Sequence, residues 1–368
     1  MTVAAPPRLL HIFATFAVGG AQIRFAALAN HFGPAWQHAV VAMDGNTACC
    51  ARLRPDLDLR FPAPDIRKGD MIGNVRRFRD ALRTLRPDVL ITHNWGTIEW
   101  AMANALVGLR HIHIEDGFGP DERDRQIPRR VWTRRLVLRR ATVVLPSRTL
   151  ERIATGTWRL PRRCVRYIPN GIDLTRFDAA RDPGPSPWPG EGPVVGTVAA
   201  LRSEKNLGRL MHAFARLHRQ RAAPARLVVV GDGPERPMLE TLAAELGIGA
   251  AVHFTGHMAE PQRAYRHFDV FALSSDTEQM PLTVLEAMAS GLAVAATDVG
   301  DVTEMLAAPN KIYVTPRDDA TLAGALGALL DAPALRRSVG DANRAKAERE
   351  YDQATMFRTY AELIGGIH

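Results

Sequence analysis

Two glutamates, Glu278 and Glu286, are separated by seven residues that include Pro281. An ionised carboxylate accepts two hydrogen bonds side by side, which suits the vicinal hydroxyls of a ribose. Upstream, Arg202 and Lys205 stand three residues apart, and Lys205 is one of only four lysines in a chain otherwise basic through arginine. Two cations at that spacing can converge on one anion. Taken singly, the bland readings are better: acids that complement a helix dipole, and cations in solvent. The case for chemistry rests on the residues around them.

The elements that must hold these groups can be read from the pattern. Asp269-Val270-Phe271-Ala272-Leu273 is a short apolar run and reads as a buried strand. Pro281 sits where a first helical residue belongs. Leu282, Leu285, Met288 and Ala289 recur at helical spacing, and Gly291 ends the helix. Glu278 therefore falls in the loop before the helix and Glu286 more than a turn inside it. The backbone from Met280 to Thr283, apart from Pro281, which has no N–H, offers unpaired N–H groups at Leu282 and Thr283 and a positive dipole end, which attract phosphate. Val194 to Val198 is a strand, the Arg202/Lys205 loop follows it, and a helix begins at about Leu207.

The first half repeats the same logic. Arg8 to Phe13 is an apolar strand, and Gly19 and Gly20 turn into a helix near Ile23. The spacing is not Gly-x-Gly-x-x-Gly, so a dinucleotide fingerprint is unsupported and an NAD-dependent oxidoreductase is disfavoured. His38 to Met43 reads as the second strand. Asp88 to Asn94 is a strand that brings His93 to its end, and Arg110 onward alternates toward Asp116. Strand C-ends in a parallel sheet carry sites. His93 is thus a candidate acceptor contact, equally readable as a loop histidine without a role. The His111-x-His113 spacing is weak evidence for a metal site. Tyr167 to Asp173 contains a Pro-Asn-Gly turn, and the Pro/Gly-rich stretch from 182 to 193 reads as linker or exposed loop. Strands alternating with helices predict an α/β protein with parallel sheets.

The chain has 368 residues, 46% of them hydrophobic, enough for two domains with full cores. Its net charge of +8 fits a polyphosphate ligand, an anionic membrane or nucleic acid without choosing among them. No apolar run reaches a membrane-spanning length, and residues 1–7 lack the basic and apolar regions of a secretion signal. Cys49, Cys50 and Cys164 form no metal-ligand pattern and read as thiols of a reducing compartment.

The stretch from Glu278 to Val294 resembles the donor-site signature of retaining glycosyltransferases of family 4. It matches at Glu278, Pro281, Glu286, Ala287, Met288, Ala289, Gly291 and Val294. It departs at Gln279 and Ala293, where Gly and Pro are usual. Arg202-x-x-Lys205-Asn206, the Gly19-Gly20-Ala21-Gln22 loop and Pro169-Asn170-Gly171-Ile172-Asp173 resemble further blocks of that family. The resemblance implies a GT-B fold, two Rossmann-like parallel-sheet domains facing across a cleft. The acceptor-binding domain would span residues 1–175, with a final helix at 351–368 packing back on it, and the nucleotide-sugar-binding domain 176–350.

The same resemblance implies transfer of a sugar from a nucleotide-diphosphate sugar to a glycan or lipid-linked acceptor, with retention, in cell-surface polysaccharide or glycoconjugate synthesis. It assigns Arg202, Lys205 and Glu278 to catalysis. Gly19, Gly20, Met280, Pro281, Leu282, Thr283 and Glu286 fall on the donor, and His93 and Asp116 on the acceptor or sugar side. Asp116 stands where the family often has a histidine. No Asp-x-Asp occurs in a suitable place, so no metal or other cofactor is expected, and no nucleic-acid partner. A nucleotide-sugar epimerase of the same fold and a non-catalytic sugar-nucleotide binding protein remain as alternatives. A cytoplasmic location is expected. Residues 129–140 carry Arg pairs interleaved with apolar residues. They read either as a core-facing helix with a solvated basic side or as a surface for the inner face of an anionic membrane.

Overall fold

The computed structural model of the protein describes residues 5–122, 125–177 and 186–365. The chain divides into two compact units, 1–169 with 357–368, and 170–356.

The first unit is built on β1 (Arg8–Phe13), α1 (Gly20–Phe32), β2 (Gln37–Ala42), β3 (Leu59–Arg60), α2 (Met71–Leu85) and β4 (Val89–His93). It continues through α3 (Ile98–Asn104), β5 (Arg110–Ile114), α4 (Pro128–Val137), β6 (Thr142–Leu145), α5 (Arg148–Gly156) and β7 (Val165–Tyr167). The seven strands form one sheet in the order β3-β2-β1-β4-β5-β6-β7, with every pairing parallel. Parallel strands covered on both faces read as continuous apolar runs, as Leu90-Ile91 and Val143-Val144-Leu145 do. Trp100 stacks on Phe78 at 4.3 Å between ring centres, fastening α3 to α2. Ser147 starts α5 by accepting from the Leu150 amide at 2.9 Å.

The second unit runs β8 (Val194–Val198), α6 (Leu207–Gln220), β9 (Arg226–Val230), α7 (Arg236–Glu245), β10 (Val252–Gly256), α8 (Gln262–Tyr265) and β11 (Val270–Leu273). Then follow α9 (Leu282–Ala289), β12 (Ala293–Thr297), α10 (Val302–Met305), β13 (Val314–Thr315), α11 (Asp319–Asp331) and α12 (Pro333–Glu350). The last helix, α13 (Gln353–Gly365), carries the chain back into the first unit. The six strands are parallel in the order β10-β9-β8-β11-β12-β13. One core packs α6, α7 and α11 on one face, including Leu210, Phe214, Leu239 and Leu326. The other packs α8, α9 and α10, including Tyr265, Leu285, Met288 and Met305.

In both sheets the order reverses beside the first strand, between β1 and β4 and between β8 and β11. Loops leaving the C-ends of those neighbours diverge to opposite faces and open a crevice, the usual ligand position in open α/β sheets. Every candidate residue except Glu286 and Asp116, which follows β5, lies on such a loop or at its edge. Among the described residues no helix is long and apolar enough to cross a membrane.

One expectation needs correction. Helix α4 packs Val131 and Val137 against the core as expected, but its arginines do not all face solvent and its largest apolar side chains do. Arg134 is fully buried, while Trp132 and Leu136 are 58% and 64% exposed. The burial is electrostatic: the Arg134 guanidinium donates to Glu115 at 3.2 Å and to both oxygens of Glu122 at 3.2 and 3.1 Å. Trp95, Trp158 and Phe118 surround it at 4.9, 4.9 and 5.4 Å. A buried guanidinium is tolerated when paired, hydrogen-bonded and stacked in this way.

Candidate active site

The second unit's site is made by the loops after β8 and β11, which the sheet order places side by side. The first ends in a tight turn, Ser203–Lys205, and Asn206 then adopts φ 42° to cap α6 by accepting from the Arg209 amide at 3.1 Å. The second loop is sewn to it. The Asp276 amide donates to the Glu204 carbonyl at 2.9 Å, and the Ser274 hydroxyl to the Lys205 carbonyl at 3.0 Å. The Asp276 carboxylate accepts from Asn206 at 3.1 Å and from Arg209 at 2.7 Å, and Arg209 also reaches the Ser274 carbonyl at 2.7 Å. The backbones on both sides of Lys205 and Glu278 are therefore fixed before any ligand arrives.

Two of the candidate side chains meet. Lys205 Nζ lies 2.6 Å from Glu278 Oε1, and the Ser275 hydroxyl donates to the same oxygen at 2.8 Å. Glu278 is nearly buried, its side chain 11% exposed, while Lys205 keeps 26% exposure. A charge-assisted contact of this length is among the stronger hydrogen bonds. It leaves the other Glu278 oxygen and the remaining ammonium protons for a ligand. Arg202 leaves the same loop, but its side chain is exposed. The structure joins Lys205 to Glu278 and does not bring Arg202 into that contact.

Behind Glu278, the loop after β12 acts as a brace. The Asp301 amide donates to the Gln279 carbonyl at 2.8 Å, and Gly300 has φ 56°. A Cβ at Gly300 would sit 2.3 Å from the Glu278 carbonyl oxygen and 2.7 Å from that of Gln279, so glycine is required for this approach.

Pro281 stands one place earlier than its sequence suggests. It is the N-cap of α9, with φ −67° and ψ 122°, and Leu282 is the first helical residue. The Leu282 and Thr283 amides thus begin the helix without intrahelical partners. Met280 is buried; its carbonyl accepts from Asn170 Nδ2 at 3.2 Å, tying the Pro-Asn-Gly turn to the site loop. On α9, Glu286 is half-buried, and its Oε2 accepts from the Tyr265 hydroxyl at 2.6 Å. Burial raises the Glu286 pKa, opposed by the Tyr265 hydrogen bond and by Arg176. Burial also pushes the Tyr265 phenol well above its ordinary value, so it stays a donor.

In the first unit, Gly19 caps α1 with extended backbone and Gly20 is its first residue. Gln22 folds back to the Thr15 carbonyl at 2.8 Å, closing the loop on itself. Asp116 is held from two sides: Arg24 grips its carboxylate at 2.6 and 2.8 Å, and Asn94, at φ 58°, accepts from its amide at 2.6 Å. Burial works against the charged Arg24, but Asp116 outweighs it and holds the guanidinium above its usual pKa.

His93 lies at the end of β4 but is 4% exposed, its ring stacked 3.9 Å from Phe13. Neither ring nitrogen has a hydrogen-bond partner. It lines a small cavity with His11, Arg24, His38 and Tyr360. Burial lowers its pKa well below the usual value, with Arg24 and His113 adding to the effect. Nearby, the Thr92 hydroxyl is 2.8 Å from both His111 Nε2 and His113 Nδ1, and His113 Nε2 is 3.3 Å from Glu115. One assignment satisfies all three contacts: His113 donates to Glu115, Thr92 to His113, and His111 to Thr92. Among the described residues no group of three or more His, Cys, Asp or Glu is arranged to hold a metal ion.

Sequence reasoning missed Ser275, Asp276, Arg209, Gly300 and Tyr265. Only the polar Ser274-Ser275-Asp276 run after an apolar strand gave a signal.

The fold and site together define a class. Residues 18–176 match the model of glycosyltransferase family 4, and residues 178–346 that of the glycosyl transferases group 1. The chain belongs to this glycosyltransferase family, with the GT-B fold. Among curated relatives, it is 37% identical over 182 residues to a GDP-mannose-dependent alpha-mannosyltransferase of Mycolicibacterium smegmatis, covering 48% of this chain and 44% of that protein. It is 30% identical over 278 residues to a D-inositol 3-phosphate glycosyltransferase of Nocardia farcinica, covering 68% and 60%. The chain thus spans about half the length of the curated relatives it matches. Anabaena HepE, solved in complex with UDP, shares the fold at a TM-score of 0.80 and 17% identity, over 98% of this chain and all of that one.

Proposed function

We propose that the chain transfers a sugar from a nucleotide-diphosphate sugar to a glycan or lipid-linked acceptor, without a catalytic metal and with retention at the anomeric carbon. The observation that carries this is the Lys205–Glu278 contact at the reversal point of the second sheet, next to the free amides that open α9. As the anomeric carbon–oxygen bond breaks, negative charge collects on the departing diphosphate. Fixed donors aimed at that charge are the most economical catalyst. Lys205, Arg202 and the backbone amides of Leu282 and Thr283 after Pro281 supply them, Glu278 sits beside the sugar, and Glu286 takes the ribose hydroxyls. The acceptor's oxygen forms the new bond to the anomeric carbon and passes its proton to the departing diphosphate oxygen. The names of the mannosyltransferase and inositol-phosphate relatives support glycosyl transfer, and the acceptor class is what the family resemblance leads us to propose.

Turnover at saturating donor tests the electrostatic assignment. Lys205→Ala and Arg202→Ala should each lower it by about 100- to 1,000-fold. Near-normal turnover in both variants would remove the proposal. NMR of the first-formed product tests retention. Donor consumption without acceptor would instead favour an epimerase, and tight donor binding without turnover a binding protein.

The acceptor reading has a surface that supports it. Trp132 and Leu136 stand exposed one helical turn apart on α4, with Arg129, Arg139 and Arg140 also exposed, and the Arg135 guanidinium lies 5.1 Å over the Trp132 ring. Apolar anchors among cations suit the inner face of an anionic membrane, where a lipid-linked acceptor would be met in the cytoplasm. Liposome flotation with and without anionic lipid tests it, and binding that ignores lipid charge would remove it.

A further inference from the structure

We infer that Tyr265 is the positioning residue that presents Glu286 to the ribose of the donor, an assignment that rests on the donor-site reading above. Glutamate has three side-chain torsions, and on a helix surface its carboxylate samples several rotamers. Glu286 is pinned instead. The Tyr265 hydroxyl has one proton and two acceptors within reach, Glu286 Oε2 at 2.6 Å and the Thr283 carbonyl at 3.3 Å. The shorter contact, to a charged oxygen, takes the proton.

Tyr265 cannot follow a wandering partner. It is fully buried, with Phe268, Phe271 and Phe177 packed around its ring at 5.6, 5.7 and 5.9 Å between centres. Its helix, α8, and α9 share one core. One carboxylate oxygen is therefore anchored to the core. Glu286 Oε1 accepts no protein hydrogen bond among the described residues and stays open to a ligand. A diol bound by Glu286 meets a carboxylate whose orientation is set in advance, so binding costs less ordering.

The test compares a nucleoside diphosphate with its 2′,3′-dideoxy counterpart, titrated calorimetrically into wild type and Tyr265→Phe. UDP and GDP are the probes, each with its dideoxy form. Removing the hydroxyl deletes one hydrogen bond to a charged group, so the ribonucleotide should bind about tenfold more weakly. The dideoxy form has no diol for Glu286 to hold and should change by less than about twofold. In turnover the donor KM should rise with kcat largely kept. A variant that folds poorly weakens both ligands alike, so the ratio between them still decides. An unchanged ratio in a wild-type protein that does discriminate the diol overturns the Tyr265 assignment alone. A wild type that binds neither nucleotide, or does not distinguish the dideoxy forms, overturns the donor-site reading beneath it.

Discussion

Mild acidification should destabilise the first unit through its buried histidines. His11, His38, His93 and His111 are all at most 8% exposed. Burial lowers the pKa of each, to about 4 for His38 and about 3 for His111 and well below 6.5 for the other two. Neighbouring charge adds to the effect: His38 and His93 act on His11, Arg24 and His113 on His93, and His113 on His111. The folded state therefore keeps these rings neutral, while the unfolded chain protonates them near 6.5. Stability is complete above that value and falls as pH drops, because the unfolded state binds more protons. Between pH 6 and pH 5 each such ring costs about 1 kcal/mol, and four together ~4 kcal/mol, a large share of a typical ~5 to 15 kcal/mol domain stability. Urea unfolding followed by tryptophan fluorescence at pH 7.5, 6 and 5 reads this directly. The first unit carries Trp36, Trp95, Trp100, Trp132 and Trp158 as reporters, against Trp188 in the second. A change of less than about 1 kcal/mol across that range, or histidine resonances of the folded protein titrating near 6.5, would refute the reasoning.

Two further outcomes follow from single side chains. Gly300→Ala places a methyl group 2.3 Å from the Glu278 carbonyl at positive φ. It should cost about 2 to 4 kcal/mol in chemical denaturation and lower turnover with it, because relief requires the Glu278 loop to move. Arg134→Ala leaves Glu115 and Glu122 buried without their guanidinium, and should destabilise the first unit by about 3 to 5 kcal/mol in the same assay.

Much of the fold was legible because parallel strands covered on both faces announce themselves as apolar runs, and strand–helix alternation leaves few arrangements. The cations and carboxylates were legible as types. Their meeting was not: Lys205 and Glu278 are 73 residues apart, and only the sheet order makes their loops neighbours. Tyr265 sits on a four-residue helix with no periodicity to mark it. His93 was placed at the end of a strand, but a strand buried on both faces gives no hint of whether its last side chain faces ligand or core. The inward turn of Arg134 was hidden for a different reason. Its partners, Glu115 and Glu122, lie 19 and 12 residues away, and a helix read alone sends its charges to water.

The chain enters the second unit at residue 170 and leaves it at 356, so that unit is an insertion within the first. Arg110 Nη1 donates to the Ile364 carbonyl at 2.7 Å, and His31 stacks on Phe357 at 4.1 Å, so the first unit needs residues from the end of the last helix. On the ribosome the inserted unit can mature as soon as it emerges. The half that was synthesised first must wait for α13 to leave the exit tunnel before its structure closes.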